Sequence, residues 1–143
     1  MRNIPQQAID LVQRFEGCKL TRYNDAVGKP TIGYGHLCNA NDNLFEITED
    51  EALSLLHTDL QIAANAVLRL TKVALSDNQF SALTDFVYNL GSGLYQSSTL
   101  RTVINRGDLS EVAFQFKRWV FGGAVKLPGL IVRRQAEAEL FLS

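Results

Sequence analysis

Two carboxyl groups and one hydroxyl lie close together near the start of this chain of 143 residues. The stretch FEGCKLTRYNDAVGKPTIGYGH, residues 15–36, carries Glu16, Asp25 and Thr31. Glu16 ends a predicted helix, Asp25 lies in a turn bounded by glycine and proline, and Thr31 opens the next predicted strand. This arrangement of oxygen-bearing side chains on three elements is suited to acid–base chemistry on a sugar.

The predicted environments of the two carboxyls differ. Apolar residues recur at helical spacing between Pro5 and Phe15, and Glu16 extends that stripe at the last turn before Gly17. Partial burial and the negative end of the helix dipole favour a protonated carboxyl there, which a general acid requires. Asp25, in a polar loop, is expected to stay ionised, and two carboxyls that differ in this way form the usual acid/base pair.

The loop around Asp25 is predicted to join two short strands, residues 20–23 and 30–34. In the second strand Thr31, Gly33 and Gly35 are expected to share one face, which the glycines leave bare beside the hydroxyl. Because glycine weakens a strand, the pattern indicates either close approach of a ligand or a glycine-rich hairpin with unusual turns.

The remainder is predicted to be helical. Thr48–Glu51 and Ser76–Gln79 have the pattern of capping boxes, and the first opens a long helix that runs to residue 70. A Gly/Ser-rich loop is expected after Gly91. Beyond it we expect a short helix at residues 99–106, a helix that Asp108 caps and that bears Trp119, and a final helix to the C-terminus.

Composition and charge are those of an ordinary globular protein, with 46% hydrophobic residues, 20% charged residues and a formal net charge of −1. The charges form no basic stripe, so nucleic acid is not an expected partner. No apolar run approaches the roughly 18–20 residues of a membrane helix. The N-terminus lacks the features of a secretion signal, so we expect synthesis in the cytoplasm without stable membrane insertion.

Neither a metal nor an organic cofactor is expected. Cys18, His36 and Cys38 lack the paired spacing of a zinc site. Free thiols are the default for the two cysteines, although the sequence leaves a disulfide open. The asparagines after Cys38 alternate like early calcium ligands, but Leu44 stands where an EF-hand needs glycine.

The residues Glu16-Gly17, Asp25 and Thr31–His36 closely resemble the phage-type lysozymes, or endolysins, of glycoside hydrolase family 24. The pattern E-x8-D-x5-T followed by IGYGH carries the resemblance, which extends over nearly the whole chain. It implies a mostly helical α+β fold in a single domain, residues 1–143, with a cleft between two lobes. The β-rich lobe would span residues 15–47, the connecting helix 48–70, and the helical lobe 1–14 with 71–143.

The resemblance also implies an activity, hydrolysis of the β-1,4 bond between N-acetylmuramic acid and N-acetylglucosamine in bacterial peptidoglycan. Glu16 would protonate the leaving oxygen, while Asp25 and Thr31 would position the attacking water. The family inverts the anomeric carbon, which requires carboxyls roughly 6.5–9.5 Å apart. The expected enzyme needs no cofactor, is a monomer, and acts in the periplasm or cell wall after a holin permeabilises the membrane.

Other matching positions imply supporting roles. Asn89 and Trp119 resemble residues on the helical wall of the family's cleft, where an amide can bind sugar groups or orient the indole. A buried Trp with a hydrogen-bond partner is the alternative. His36 is expected to tie the hairpin to the body through an ion pair. Arg134 is expected to pair with an acidic group of the active-site helix, such as Asp10.

Two other functions remain open at this point. A lytic transglycosylase uses one Glu and yields an anhydro sugar without attack by water, which the presence of Asp25 and Thr31 disfavours. A non-catalytic peptidoglycan-binding protein with the same fold is disfavoured because Glu16 is present as well. The chain differs from the many strongly basic family members in its near-neutral charge, and its apolar segment 121–127 is expected to form a lip of the cleft.

Overall fold

The computed structural model describes residues 2–143, which form a mostly helical α+β fold, as the sequence predicted. Its elements in chain order are α1 (Gln6–Glu16), β1 (Lys19–Asn24), β2 (Pro30–Gly33), β3 (His36–Leu37), α2 (Glu49–Leu70), α3 (Asp77–Leu90), α4 (Ser92–Ser97), α5 (Thr99–Asn105), a 3-10 turn (Leu109–Glu111), α6 (Val112–Lys117), β4 (Phe121–Gly122), β5 (Val125–Lys126) and α7 (Pro128–Leu142). No helix within residues 2–143 is long and apolar enough to cross a membrane.

The small sheet directly follows α1. Its strands are antiparallel in the order β1-β2-β3, with Tyr23 opposite Thr31 and Ile32 opposite His36. The prediction of a second strand through residue 34 is therefore wrong at its end. The chain reverses at residues 34–35, because Gly35 adopts a φ of 83°, a conformation that glycine reaches without steric cost.

The expected bare face beside Thr31 is also absent. Thr31 is buried, and an ideal Cβ on Gly33 would lie 3.6 Å from the side chains of Ala52 and Ile47. Gly33 thus lets the sheet pack closely against α2 and does not open a surface for a ligand. The alternative interpretation, a glycine-rich hairpin with unusual turns, describes this segment better.

The two predicted capping boxes are confirmed. The Thr48 hydroxyl accepts a hydrogen bond from the Glu51 amide, the Glu51 carboxylate accepts one from the Thr48 amide, and Ser76 and Gln79 repeat the pattern. The first box begins α2, whose 22 residues span roughly 33 Å. This helix packs against both the sheet and α3, so it fixes the position of the sheet relative to the helices.

The main core lies around α3, which packs against α1, α2 and α7. Phe86 on α3 makes edge-to-face contacts with Tyr95, Phe116 and Trp119, at centroid distances of 6.2, 5.6 and 5.9 Å. Such pairs add about 0.5–1.5 kcal/mol each beyond their area burial. A helix buried on so many sides must pair any charged group that it carries, and α3 carries Asp85.

Three local predictions for the second half of the chain are wrong. The Gly/Ser-rich segment after Gly91 forms α4, because it packs against α3 and buries Tyr95. Asp108 makes no side-chain cap to the following turn and instead accepts a hydrogen bond from the Ser110 hydroxyl. The next helix, α6, ends at Lys117, so Trp119 lies just beyond it.

The apolar segment before α7 forms a small hairpin. Phe121 pairs with Lys126 and Gly122 with Val125, and this whole segment is exposed. An ideal Cβ on Gly122 would lie 2.5 Å from Leu127, so the glycine allows the Leu127 side chain to fold over the hairpin. That this hairpin forms a lip of the cleft stays a prediction.

Candidate active site

Glu16 is the last residue of α1 and stands at the junction of the sheet and the helices. Gly17, with a φ of 65°, ends the helix. The Glu16 side chain is 22% exposed, and its Oε2 accepts a hydrogen bond from Arg133 Nη1 at 2.6 Å. Its Oε1 lies against the backbone of Gly35, where an ideal Cβ would be only 2.9 Å away. Oε2 is thus held by Arg133, while Oε1 faces the β2–β3 turn.

Asp25 is held in the loop between β1 and β2 by its own side chain. Oδ1 accepts hydrogen bonds from the amides of Val27 at 3.0 Å and Lys29 at 2.8 Å. The Asp25 backbone also bonds Lys29 and Gly28, which closes a tight turn. Within residues 2–143 these bonds use only Oδ1, so the geometry of the loop is fixed while Oδ2 stays available to other groups.

Thr31 and Tyr23 connect this loop to Glu16. The Thr31 hydroxyl donates to the carbonyl of Lys29 at 2.9 Å, and Thr31 pairs with Tyr23 across the sheet. Burial, followed by the charges of Glu16 and Asp25, raises the pKa of the Tyr23 phenol. The charges of both carboxyls therefore reach the same phenol, while their roles as an acid/base pair stay a prediction.

Arg133, on α7, connects Glu16 to a buried acid. Besides the bond to Glu16, its guanidinium donates to Asp85 through Nε at 3.0 Å and Nη2 at 2.9 Å. Burial lowers the pKa of the Arg133 guanidinium, but the hydrogen bonds and charge of Asp85, and then those of Glu16, outweigh burial and raise it. Arg133 remains charged and joins α7, α3 and α1 at the site.

The expected pairing of Arg134 with Asp10 is wrong. Asp10 is exposed and accepts a hydrogen bond from Gln6, one turn earlier on α1. Arg134 is completely buried, with Nε 2.9 Å from Glu137 Oε1 and Nη2 bonded to Asn89 Oδ1 at 2.6 Å. Consecutive helical residues point about 100° apart, and α7 is rotated so that the residue before Arg134 reaches Glu16.

His36 makes the expected contact with the body of the protein. Its Nδ1 lies 2.7 Å from Asp59 Oδ2, with both side chains mostly buried, so the contact joins β3 to α2. Tyr88, on α3, donates its hydroxyl to the carbonyl of Tyr34 in the same turn. Burial, and then the charges of Asp59 and Glu16, raise the pKa of the Tyr88 phenol. The turn beside Glu16 is thus fixed from two helices.

A groove of about 360 Å³ runs between this turn, α2 and the end of α3. Its lining includes the polar groups of His36, Asp59, Arg69 and Tyr88 together with Gly35. Gly35 both lines the groove and contacts Glu16, so only this glycine separates the carboxyl from the groove lining. The sequence analysis did not identify Tyr88, Asp59 or Arg69 as groove residues. The helices that carry them, α2 and α3, were predicted.

Asn89 and Trp119 both contact residues of the helical part of the protein. Asn89 is half-buried and accepts the bond from Arg134, and the half-buried Trp119 makes an edge-to-face contact with Phe86. No hydrogen bond joins the amide to the indole among the residues described. Their part in substrate binding stays a prediction.

The cysteines do not form part of the site chemistry. Cys18 and Cys38 are free thiols, the first exposed and the second half-buried. Residues 2–143 also contain no group of three or more His, Cys, Asp or Glu residues arranged to hold a metal ion.

Known proteins resemble the chain in sequence and fold. The phage lysozyme family profile matches residues 13–137. The endolysin of Acyrthosiphon pisum secondary endosymbiont phage 1 is 37% identical, with 99% of each chain covered, and the endolysin of Salmonella phage P22 is 34% identical over the full length of both. The endolysin of Bacillus phage B103 is also 37% identical, but this chain spans only about half its length (54%).

Solved structures show the same relationship. The muramidase domain of SpmX from Asticaccaulis excentricus superimposes with a TM-score of 0.90 at 32% identity, covering 100% of this chain and 99% of that one. A point mutant of P22 lysozyme superimposes with a TM-score of 0.87 at 33% identity over the full length of both chains.

Fold, site and sequence together define the class of protein as a lysozyme-type glycoside hydrolase. The chain belongs to the phage lysozyme family. As a member of this family, the protein hydrolyses bacterial peptidoglycan.

Proposed function

We propose that the chain hydrolyses the β-1,4 bond between N-acetylmuramic acid and N-acetylglucosamine with inversion at the anomeric carbon. The observation that carries the proposal is the contact of Glu16 Oε1 with Gly35, a residue that lines the groove. A glycan strand in the groove would bring a glycosidic oxygen to this carboxyl. The groove contains several hydrogen-bond groups, as a polar substrate requires.

Glu16 acts as the general acid in this mechanism. Its proton passes to the glycosidic oxygen as the bond from that oxygen to the anomeric carbon breaks, so that the leaving sugar departs as a neutral alcohol. The bond from Arg133 engages Oε2, while Oε1 lies at Gly35, a lining residue of the groove. The hydrogen bond therefore orients the carboxyl toward the substrate.

Asp25 and Thr31 position the water that attacks the opposite face of the sugar. The two amide bonds to Asp25 Oδ1 hold the carboxylate still, and its other oxygen accepts a proton from the water. The Thr31 hydroxyl, held by its bond to Lys29, accepts a hydrogen bond from the same water. A separation of roughly 6.5–9.5 Å between the two carboxyls stays a prediction of the inverting mechanism.

The proposal extends to where and how the protein acts. The relatives are phage endolysins, which supports synthesis in the host cytoplasm and action on the wall, with access through a holin. The chain would act as a monomer, as a single domain, with no cofactor. Asn89 and Trp119 would border the bound glycan on the helical side.

Mass spectrometry of the products tests the chemistry. Purified peptidoglycan is digested with the wild type, with Glu16→Gln and with Glu139→Gln, an exposed glutamate of α7 as the matched control. We expect reducing-end muramic acid fragments from the wild type and the control, and none from Glu16→Gln. Anhydro-muramic products would instead identify a transglycosylase, and full activity of Glu16→Gln would remove the acid assignment.

Nuclear magnetic resonance of the first product formed tests the stereochemistry. Inversion of a β-linkage releases the α-anomer before mutarotation mixes the two forms. An initial β-anomer would instead require a retaining mechanism, in which Asp25 or another group forms a covalent intermediate.

A further inference from the structure

The site contains an unequal set of buried charges behind Glu16. Three carboxyls, those of Glu16, Asp85 and Glu137, meet two guanidiniums, those of Arg133 and Arg134. Asp85 and Glu137 are completely buried, and no charge so deep is stable without a partner. Each completely buried carboxyl lies beside one guanidinium, Asp85 beside Arg133 and Glu137 beside Arg134.

Glu137 is the carboxyl of this cluster whose pKa burial raises, which favours its protonated form. Among residues 2–143 Glu137 Oε2 has no hydrogen-bond partner, and Oε1 has only its ion-pair contact with Arg134 Nε at 2.9 Å. If Glu137 and Asp85 were both ionised, neither could donate to the other. With one proton on Glu137, the two carboxyls form a hydrogen bond. Burial and then Asp85 raise the pKa of Glu137 well above its ordinary value. Burial would also raise the pKa of Asp85, but the bonds from Glu137 and Arg133 outweigh it and lower that pKa.

Asp85 is therefore the permanent negative charge of the cluster, and it is bound to Arg133 at two points. This matters because Arg133 also contacts Glu16, and a cation beside a carboxyl favours its ionised form. A general acid needs the protonated form. An uncompensated Arg133 would thus oppose the role of Glu16.

We propose that Asp85 is a positioning residue of the hydrolase, which takes up the charge of Arg133 so that Glu16 can hold its proton while Arg133 still orients it. The inference rests on the proposed role of Glu16 as the acid. Asp85 acts through Arg133 and does not touch the substrate.

Other groups also face Glu16 and remain unchanged in the test. They come from every neighbouring element: Tyr23 on β1, Asp25 in the following loop, Tyr88 on α3, Arg134 on α7. None of them bridges Asp85 and Glu16 as Arg133 does. Their influence is therefore common to the wild type and the variants.

The pH dependence of kcat/KM for peptidoglycan hydrolysis tests the inference, because its alkaline limb reports the loss of the proton from the acid. In Asp85→Asn the charge is lost and the shape is kept, so we expect the alkaline limb to move to lower pH by about one unit. Glu137→Gln is the matched control, since its amide still donates to Asp85, and its limb should stay at the wild-type position. Asp85→Glu, which restores the charge, should return the limb toward that position.

Arg133→Gln tests the same pair of charges by removing the cation instead of the anion. It also serves as the test if Asp85→Asn does not fold. Removing the cation while the Asp85 charge remains should move the alkaline limb to higher pH. Opposite shifts in the two variants would support the inference. A limb that stays in place in folded Asp85→Asn, or that fails to rise in Arg133→Gln, would leave Asp85 a purely structural residue.

Failure of the inference can be told from failure of the proposed function. If Glu16→Gln retains the activity of the wild type, the acid assignment fails and the inference fails with it. If Glu16→Gln is inactive but the limb of Asp85→Asn is unmoved, only the role of Asp85 is overturned.

Discussion

The Cβ that Gly35 lacks would lie 2.9 Å from Oε1 of Glu16. The glycine therefore has two functions at one position. It adopts the φ of 83° that the β2–β3 turn requires, and it leaves room for the carboxyl at the groove wall. The short glycine-rich run and Glu16 are in direct contact, although the residues belong to different elements.

Gly35→Ala should therefore damage activity more than stability. The positive φ costs an alanine about 1–2 kcal/mol, but the methyl group also displaces the Glu16 carboxyl, and a misplacement near 1 Å can cost about 10²-fold in rate. Gly107→Ala is the matched control, since Gly107 has a φ of 76° with open space around it. Steady-state lysis rates and urea unfolding should show equal destabilisation of the two variants but loss of activity only in Gly35→Ala. If Gly35→Ala were as active as Gly107→Ala, the Glu16 carboxyl would be able to move away from the methyl group without loss of activity.

Asp25→Asn should keep its fold and lose activity by about 10²–10⁴-fold. The amide oxygen can still accept from Val27 and Lys29, so the loop is retained, but the group no longer takes a proton from water. Asp42→Asn is a suitable control, because Asp42 also accepts a backbone bond in a turn and has no role in the proposed mechanism. Reducing-sugar release measures the rates. Near-normal activity of Asp25→Asn would favour a transglycosylase.

The His36–Asp59 contact should contribute to stability as a pair. A double-mutant cycle with His36→Asn and Asp59→Asn, followed by urea denaturation, should give a coupling energy of about 1–3 kcal/mol, the range of charge-assisted hydrogen bonds in partly buried sites. The two single variants should each cost nearly as much as the double variant. Additive effects would show that the sheet is fixed to α2 by packing alone.

Glu137 predicts a pH dependence of stability. Its pKa is raised in the folded protein from the ordinary 4.5, so above that pH the folded state holds a proton that the unfolded state releases. Stability therefore falls as the pH rises from about 4.5 toward the folded pKa. Glu137→Gln removes this titrating group. The free energy of unfolding of the variant, relative to that of the wild type, should therefore increase with pH across that window. A difference independent of pH would show that Glu137 is ionised in the native state.

Much of the fold could be predicted from local patterns. Thr48 and Ser76 form the capping boxes that their spacing indicates, because a cap depends only on residues three apart. The segment after Gly91 was predicted wrongly, since its helix is stabilised by packing on α3, a contact that local composition does not contain. The turn at Gly35 was hidden inside an apparent strand, because alternation alone does not reveal a reversal of the chain.

The sequence by itself determined the family and the capped helix starts, and it singled out Glu16, Asp25 and Thr31 as the predicted reacting trio, since each depends on residue types at short, fixed spacings. Only the tertiary structure decided which charges surround Glu16. Arg133 and Glu16 are 117 positions apart, and adjacent Arg133 and Arg134 have the same chemistry. The rotation of α7 against α1 and α3 selects between them, because consecutive helical residues point about 100° apart. The partners of a buried charge follow from packing, which no local pattern contains.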